Sequence, residues 1–187
     1  MKRVLGLAAL LLAASLALAI PRATSAPPSP TSAAALERSD ALAAAPAANR
    51  FGIDADVPAA AARGFADGLA DDVPLPRGGT FDGIQWEAAG GAFTAAETRA
   101  ILQYNAMCQW VRAYRDGRET DVGARILAEL PGWSGWRGTE TATVLGAAIA
   151  ELLDGGGPAS AALLAECDAS HLREVRYAEA HGLSASR

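Results

Sequence analysis

The chain has 187 residues, of which 51% are hydrophobic, 6% aromatic and 20% charged, with a formal net charge of −5. This length accommodates one ordinary domain plus short terminal segments. The acidic balance disfavours nucleic acid and anionic lipid surfaces as partners, because both reward clustered cations. Lys2 is the only lysine, which excludes Schiff-base chemistry and the phosphate-binding P-loop from the rest of the chain.

The N-terminal segment has the three parts of an export signal. Lys2 and Arg3 precede an apolar run over 4–20, and small residues follow. Residues 1–26 are therefore predicted to be a cleaved signal peptide or a retained membrane anchor, and both alternatives place the remaining chain outside the cytoplasm. Without these two cations and Arg22, the 16 basic residues fall to 13 against 21 acidic ones, so the net charge becomes −8.

Residues 27–57 are rich in proline, alanine and serine and contain few large apolar side chains. Such a segment buries too little surface to offset its ordering entropy, so it is predicted to be a disordered, semi-extended linker. Within it, Ala33–Ala45 would form at most a transient helix. The folded domain is expected to occupy residues 58–187.

The first part of this domain combines a short helix with an extended strap. Pro58 suits the first position of a helix that carries Phe65 and Leu69 one turn apart. The proline and glycine density of residues 73–92 forbids regular helix, so this strap is predicted to run across the core or to form a short hairpin. The side chains expected to press onto the core are Phe81, Ile84 and Trp86.

The central helix is predicted to start at a capping box formed by Thr94 and Glu97 and to end near Asp116. Its apolar positions repeat at three- and four-residue steps. The predicted buried stripe consists of Ile101, Tyr104, Cys108 and Val111. The residues predicted to point mainly away from it are Arg99, Gln103 and Arg112.

Three further helices are predicted over 119–130, over 140–153 and from Pro158 onward, the last with a break near Ser170. Short connections favour antiparallel neighbours. The predicted fold class is therefore all-α, a small antiparallel bundle of about four helices with a proline- and glycine-rich strap.

The chain contains two cysteines, and both lie on inward stripes of predicted helices. Outside the cytoplasm a disulfide between Cys108 and Cys167 can form and persist, and two cysteines permit only this pairing. The weaker alternatives are buried free thiols and a reactive or metal-bound thiol. Cys108 lies mid-helix among apolar residues, away from the cation or helix N-terminus that activates a nucleophile.

The loop over 131–138 places Trp133 and Trp136 three residues apart, followed by Arg137. Paired aromatic rings with a nearby donor can form a contact surface for sugar rings or a proline-rich peptide. The alternative, favoured here, is that the tryptophans cover the end of the bundle.

His171 and Glu174, with Glu166, Asp168 and His181 nearby, form the densest cluster of potential acid–base groups or metal ligands. Metal sites need ligands from a second segment, and a single histidine on a core-facing stripe is usually a packing residue. No catalytic residue, metal site or cofactor is therefore predicted.

The sequence as a whole predicts a non-enzymatic binding, sensing or accessory module of the cell envelope, either secreted or tethered to the cytoplasmic membrane through residues 4–20. Its partner would be another envelope protein or a cell-wall component. The alternative is a small extracytoplasmic hydrolase that uses His171 and nearby carboxylates, with or without a divalent metal.

Overall fold

The computed structural model of this chain describes residues 29–46, 57–88 and 92–187. Its helices are α1 (Pro30–Ala44), α2 (Ala59–Ala70), α3 (Ala95–Arg115), α4 (Thr120–Glu129), α5 (Glu140–Leu153) and α6 (Pro158–His181). Single 3-10 turns occur at Trp86–Ala88 and Leu130–Gly132, and the two-residue strands are β1 (Val57–Pro58) and β2 (Ala92–Phe93). The all-α class is confirmed. The predicted export segment 1–26 lies outside the described residues.

Within the described part of the chain, no helix combines the length and the apolar character needed to cross a bilayer. Six α-helices are described there: the four predicted for the bundle, the short helix predicted at Pro58, which is α2, and α1, which lies in the segment predicted to be a linker. The two short strands pair antiparallel, with Val57 opposite Phe93 and Pro58 opposite Ala92. β1 precedes α2 and β2 lies at the end of the strap, so the strand at the end of the strap pairs with a segment outside it. The described residues of the strap contain no hairpin.

α3 is the central helix, and it packs against α2, α4 and α6. The predicted capping box is present, since the Thr94 hydroxyl accepts from the Glu97 amide at 3.1 Å and the Glu97 carboxylate accepts from the Thr94 amide at 2.8 Å. Contacts on three sides bury much more of α3 than a single stripe. Leu102, Ala106 and Trp110 are completely buried although they lie off the predicted face.

Three predicted orientations on α3 are therefore wrong. Tyr104 is 37% exposed, whereas Gln103 and Arg112 are buried. Gln103 can be buried because its amide group is satisfied on both sides: it donates to Ser134 Oγ at 3.1 Å and accepts from the Gly135 amide at 2.9 Å. The hydrophobic pattern of a sequence records only that a residue is polar, so it does not distinguish a buried, hydrogen-bonded glutamine from a solvent-exposed one.

The disulfide between Cys108 and Cys167 is confirmed, and it joins α3 to α6 with a Cα–Cα distance of 4.9 Å. Both half-cystines are buried, at 4% and 0% exposure. The covalent link therefore lies inside the core and fixes the two longest helices against each other.

α1 corrects the prediction of a disordered linker. Ser29 caps the helix by accepting from the Ser32 amide at 3.2 Å, and Pro30 occupies its first turn. One face of α1 packs on α4 and buries Ala35, Leu36 and Leu42 in the common core. A narrow alanine-rich face of this kind gains its stability from the surface it packs against, which the local sequence does not display.

α6 runs without interruption from Pro158 to His181, so the predicted break near Ser170 is wrong. Ser170 does not cap a new helix. Its hydroxyl donates instead to Glu174 Oε1 one turn later, at 3.2 Å. The serine is thus accommodated in the helix interior because its side chain has a partner one turn along.

Candidate functional site

The tryptophan loop does not form an exposed contact surface. Trp133 and Trp136 are 0% and 5% exposed, with their rings stacked at a centroid distance of 6.0 Å. The indole N–H of Trp133 donates to Ser39 Oγ on α1 at 3.1 Å, and that of Trp136 donates to the Leu130 carbonyl at 2.5 Å. The pair therefore closes the end of the bundle beneath α1, as the alternative interpretation proposed.

Arg137, the third residue predicted to contact a partner, is also used within the chain. Its guanidinium donates to the carbonyls of Ala43 and Ala45 at the C-terminal end of α1. Carbonyls at the C-terminal end of a helix accept no hydrogen bond from an amide of the same helix. The cation of Arg137 satisfies them and also complements the negative end of the helix dipole. Arg137 thus helps to hold α1 on the bundle.

His171, on which the hydrolase alternative depends, lies close to Ser186 and Asp168. The described residues contain no group of three or more histidine, cysteine, aspartate or glutamate side chains suited to hold a metal. Burial and the neighbouring Arg112 lower the pKa of His171, and its Nδ1 lies 3.3 Å from Ser186 Oγ. The adjacent Asp168 is engaged by Arg115 at 2.7 and 2.9 Å.

Glu174, the other carboxylate of that cluster, faces the strap side of the bundle. It accepts from Asn105 Nδ2 at 2.6 Å and from the Ser170 hydroxyl. Burial raises the pKa of this carboxyl, an effect opposed by both hydrogen bonds and by the nearby Arg112 and Arg173. Its role is to satisfy buried polar groups between α3 and α6.

A different feature is the best candidate for a binding site. A cavity of about 790 Å³ lies where the start of α1, the strap, the first turn of α4 and the C-terminal tail meet. Its walls carry four arginines, Arg77, Arg118, Arg125 and Arg187, and we refer to it as the arginine cavity. The arginines come from the strap, the turn before α4, α4 itself and the C-terminal tail, so the charge cluster exists only in the folded chain.

The turn between α3 and α4 shapes the floor of the arginine cavity. Glu119 adopts a left-handed conformation with φ of 48°, which is uncommon for a residue other than glycine. Its carboxylate accepts from Ser32 Oγ on α1 at 3.1 Å and from the backbone amide of Arg77 on the strap at 2.7 Å. One side chain therefore joins three segments at the cavity.

Because Glu119 is used in this way, the N-terminus of α4 has no side-chain cap. The first helix-type hydrogen bond is donated by the Gly123 amide to the Glu119 carbonyl, at 2.8 Å. The amides that precede it, from Thr120 to Val122, have no acceptor within the helix. The positive end of the helix dipole and these donors thus lie at the cavity wall, which Thr120, Asp121 and Val122 help to form.

The guanidinium groups of Arg77, Arg125 and Arg187 form no hydrogen bond or ion pair with the rest of the described chain. Arg118 is the exception, since it donates to the Arg187 carbonyl at 3.2 Å and lies 3.5 Å from Asp116. The cavity thus presents cationic donors that are free to bind an external acceptor.

The C-terminal tail completes the cavity. Gly182 ends α6 in the left-handed conformation, with φ of 65°, and lets the chain turn back along the bundle. Ser186 is buried beside His171, and the aliphatic part of Arg187 lies over Gly78. A β-carbon on Gly78 would come within 3.2 Å of Arg187 Cδ, so glycine permits this close approach.

Sequence reasoning missed this site because its four arginines are spread over more than a hundred positions and occupy no recognisable motif. The only local signal was the cluster of Arg115, Arg118 and Glu119 in a turn between helices. Comparisons of this chain with protein-family models, with curated proteins and with solved structures find no match.

Proposed function

We propose that the chain is an exported, disulfide-stapled helical bundle that acts as a non-enzymatic binding module of the cell envelope and holds an anionic ligand in the arginine cavity. The observation that carries the proposal is the convergence of four arginines and an uncapped helix N-terminus on one cavity. The chain has a net charge of −5, so the cationic cavity differs in sign from the net charge of the protein as a whole.

The export segment predicted over 1–26 and the buried Cys108–Cys167 disulfide support an extracytoplasmic location. Disulfides persist in oxidising compartments and are rare in the cytosol. The chain would then be secreted, or tethered to the membrane through residues 4–20. Its ligand would be part of another envelope protein or of the cell wall, while the acidic net charge disfavours nucleic acid.

The location is tested by fusing residues 1–57 to a reporter enzyme that is active only after export. An active reporter supports the proposal, and carbonate extraction then distinguishes a released protein from an anchored one. A reporter that stays inactive while the fusion accumulates would contradict export. The matched control replaces Lys2 and Arg3 by glutamate, which should reduce export because the cationic region is lost.

The binding site is tested by nuclear magnetic resonance of the full chain, titrated with citrate at constant ionic strength. Citrate is a small multivalent anion, so any cationic recess should bind it. We expect amide shifts to concentrate at Arg77, at 118–122 and at Arg187, since these positions surround the cavity.

The matched pair of variants separates local binding from the general field of the protein. The double variant R77Q/R125Q should abolish the localised shifts. The control R99Q/R176Q removes the same charge from exposed positions outside the cavity and should preserve them. Equal behaviour of the two variants, or shifts scattered over the whole surface, would contradict the proposed site.

A further inference from the structure

We infer that the ligand of the arginine cavity is an organic phosphate ester, with the phosphate held by the arginines and the start of α4 and the organic group lying along α1. This inference rests on the proposed function and specifies the ligand of the same site. It is argued from the size of the cavity, from its charge and from the arrangement of its donors.

The size of the cavity favours an occupant larger than a bare inorganic ion. Small-molecule sites generally enclose about 300–1,000 Å³, and a volume of about 790 Å³ falls within that range. A single phosphate ion would leave most of this space to water. The cavity therefore has room for a phosphate together with an attached group as large as a sugar.

The charge favours a dianion. Four arginines line the cavity together with two acidic residues, Glu119 and Asp121, which leaves two positive charges in excess. A phosphate monoester carries about −1.5 to −2 at neutral pH, whereas a carboxylate carries −1. Both carboxylates oppose an incoming anion, but Glu119 also accepts from Ser32 and the Arg77 amide, so Asp121 is the one that can be replaced without breaking these hydrogen bonds.

The donors suit a group with three acceptor oxygens. Arg77 on the strap, Arg125 on α4 and Arg187 on the tail carry guanidinium forks without a partner among the described residues, and such forks bind phosphate in a bidentate manner. The uncapped start of α4 adds backbone amides as further donors. Donors from three separate segments suit the three oxygens of a phosphate better than the two oxygens of a carboxylate.

Part of the cavity wall is apolar. Leu36 on α1 and Val122 on α4 line it, and both are at most 8% exposed. Small apolar surfaces of this kind accommodate the carbon skeleton of a ligand and exclude water from the charged contacts. An ester thus uses both the cationic groups and the apolar side chains of the cavity wall, while inorganic phosphate uses only the cationic groups.

A phosphate ester could come from a free small molecule or from the repeating unit of an anionic polymer in the envelope. The free molecule offers a monoester with a charge of about −1.5 to −2, whereas the repeating unit of the polymer is a diester with a single negative charge, so the charge and the donors of the cavity favour the monoester. The experiment therefore contains one arm for each source.

The test is calorimetric titration of the full chain, with its disulfide intact, at pH 7.5 and constant ionic strength. The probes are glucose 6-phosphate, gluconate, inorganic phosphate and poly(glycerol phosphate). Gluconate matches glucose 6-phosphate in size but carries a single carboxylate. We expect glucose 6-phosphate to bind about tenfold or more tightly than either gluconate or inorganic phosphate, the difference expected for one additional charge-assisted contact.

Three variants test the assignment of individual residues. R125Q should weaken the binding of glucose 6-phosphate about tenfold or more, because it removes a guanidinium group that can bind the phosphate in a bidentate manner. D121N should strengthen binding by several fold, since it removes an acidic group opposing the phosphate. R99Q, the charge-matched control outside the cavity, should leave the affinity unchanged.

The outcomes separate this inference from the proposed function. If gluconate binds as tightly as glucose 6-phosphate and R125Q weakens both, the cavity binds anions but the phosphate assignment is overturned. If inorganic phosphate binds as tightly as glucose 6-phosphate, the conclusion that the ligand carries an organic group is overturned. If no probe binds in a manner that R125Q affects, the proposed function fails as well.

The polymer arm identifies the source. Binding of glucose 6-phosphate without competition by poly(glycerol phosphate) supports a free monoester. Tighter binding of the polymer per phosphate unit, with competition against glucose 6-phosphate, would overturn the preference for a dianion and identify a phosphodiester instead.

Discussion

Removal of the Cys108–Cys167 disulfide should destabilise this protein more than any other conservative change in the core. The bond connects α3 to α6 across 59 positions of the chain, and both half-cystines are buried. The double variant C108A/C167A breaks it without introducing charge or a free thiol. The folded helices keep their caps and their remaining contacts, so the main effect falls on the unfolded state.

The magnitude follows from the length of the closed loop. For a separation of 59 residues, the chain-entropy model gives a stabilisation on the order of 4 kcal/mol at 25 °C. Loss of two buried sulfur atoms adds a smaller packing cost. Against a typical unfolding free energy of about 5–15 kcal/mol, this loss is large, and it corresponds to a decrease in Tm of about 10 °C.

The assay is urea unfolding followed by circular dichroism and by tryptophan fluorescence, with linear extrapolation to water. The m-value should rise, because an uncrosslinked unfolded chain exposes more surface. Reduced wild-type protein is the matched control, since it lacks the bond but retains both sulfur atoms. A loss below about 1 kcal/mol with an unchanged m-value would refute the reasoning, because it would mean that the crosslink hardly restricts the unfolded chain.

Other predictions concern single residues. Burial raises the pKa of Glu174 above 4.5 in the folded protein, so the native state binds more protons than the unfolded state just above that pH. The unfolding free energy of wild type should therefore fall as pH rises through this window, and E174Q should lack that part of the decline when Tm is measured against pH. G135A should lower the free energy of unfolding, measured in urea, by about 1–3 kcal/mol, because the new β-carbon would lie 2.6 Å from Gln103 Oε1. At Gly64, an exposed helical site, an added β-carbon would have no atom within 4 Å, so G64A should instead raise the free energy of unfolding by about 0.5–1 kcal/mol. Equal effects of the two substitutions would contradict the steric explanation. R137Q should lower stability by about 1–2 kcal/mol and speed amide exchange in α1, whereas unchanged exchange there would show that this arginine does not hold the helix.

The helix boundaries were largely predictable because local chemistry determines them. The capping box at Thr94 and the start of α6 at Pro158 were predicted where the structure has them, and α5 spans the predicted residues 140–153. The hydroxyl, carboxylate and proline groups that start a helix act within one turn, so a short stretch of sequence contains the whole signal. The predicted disulfide is present for a related reason, since two cysteines allow one pairing.

Apart from the predicted break at Ser170, the failures involve surfaces supplied by distant segments. α1 was mistaken for a linker because its alanine-rich face is stabilised by α4, and the contacts of Ser39 with Glu129 and Trp133 span about ninety positions. Gln103 appeared solvated because its partners lie in another loop. In each case the deciding energy comes from an interaction that has no counterpart in the local pattern.

The sequence by itself determined the helical class, the main helix starts and the single covalent crosslink, because caps, periodicity and the cysteine count are local or combinatorial properties. Only the tertiary structure decided that the tryptophan pair is buried and that α1 belongs to the core. It alone also decided that Arg77, Arg118, Arg125 and Arg187 meet around one cavity. The physical reason is that the electrostatic field of a site depends on distances in space, whereas residues far apart in the chain carry no mark of their eventual proximity.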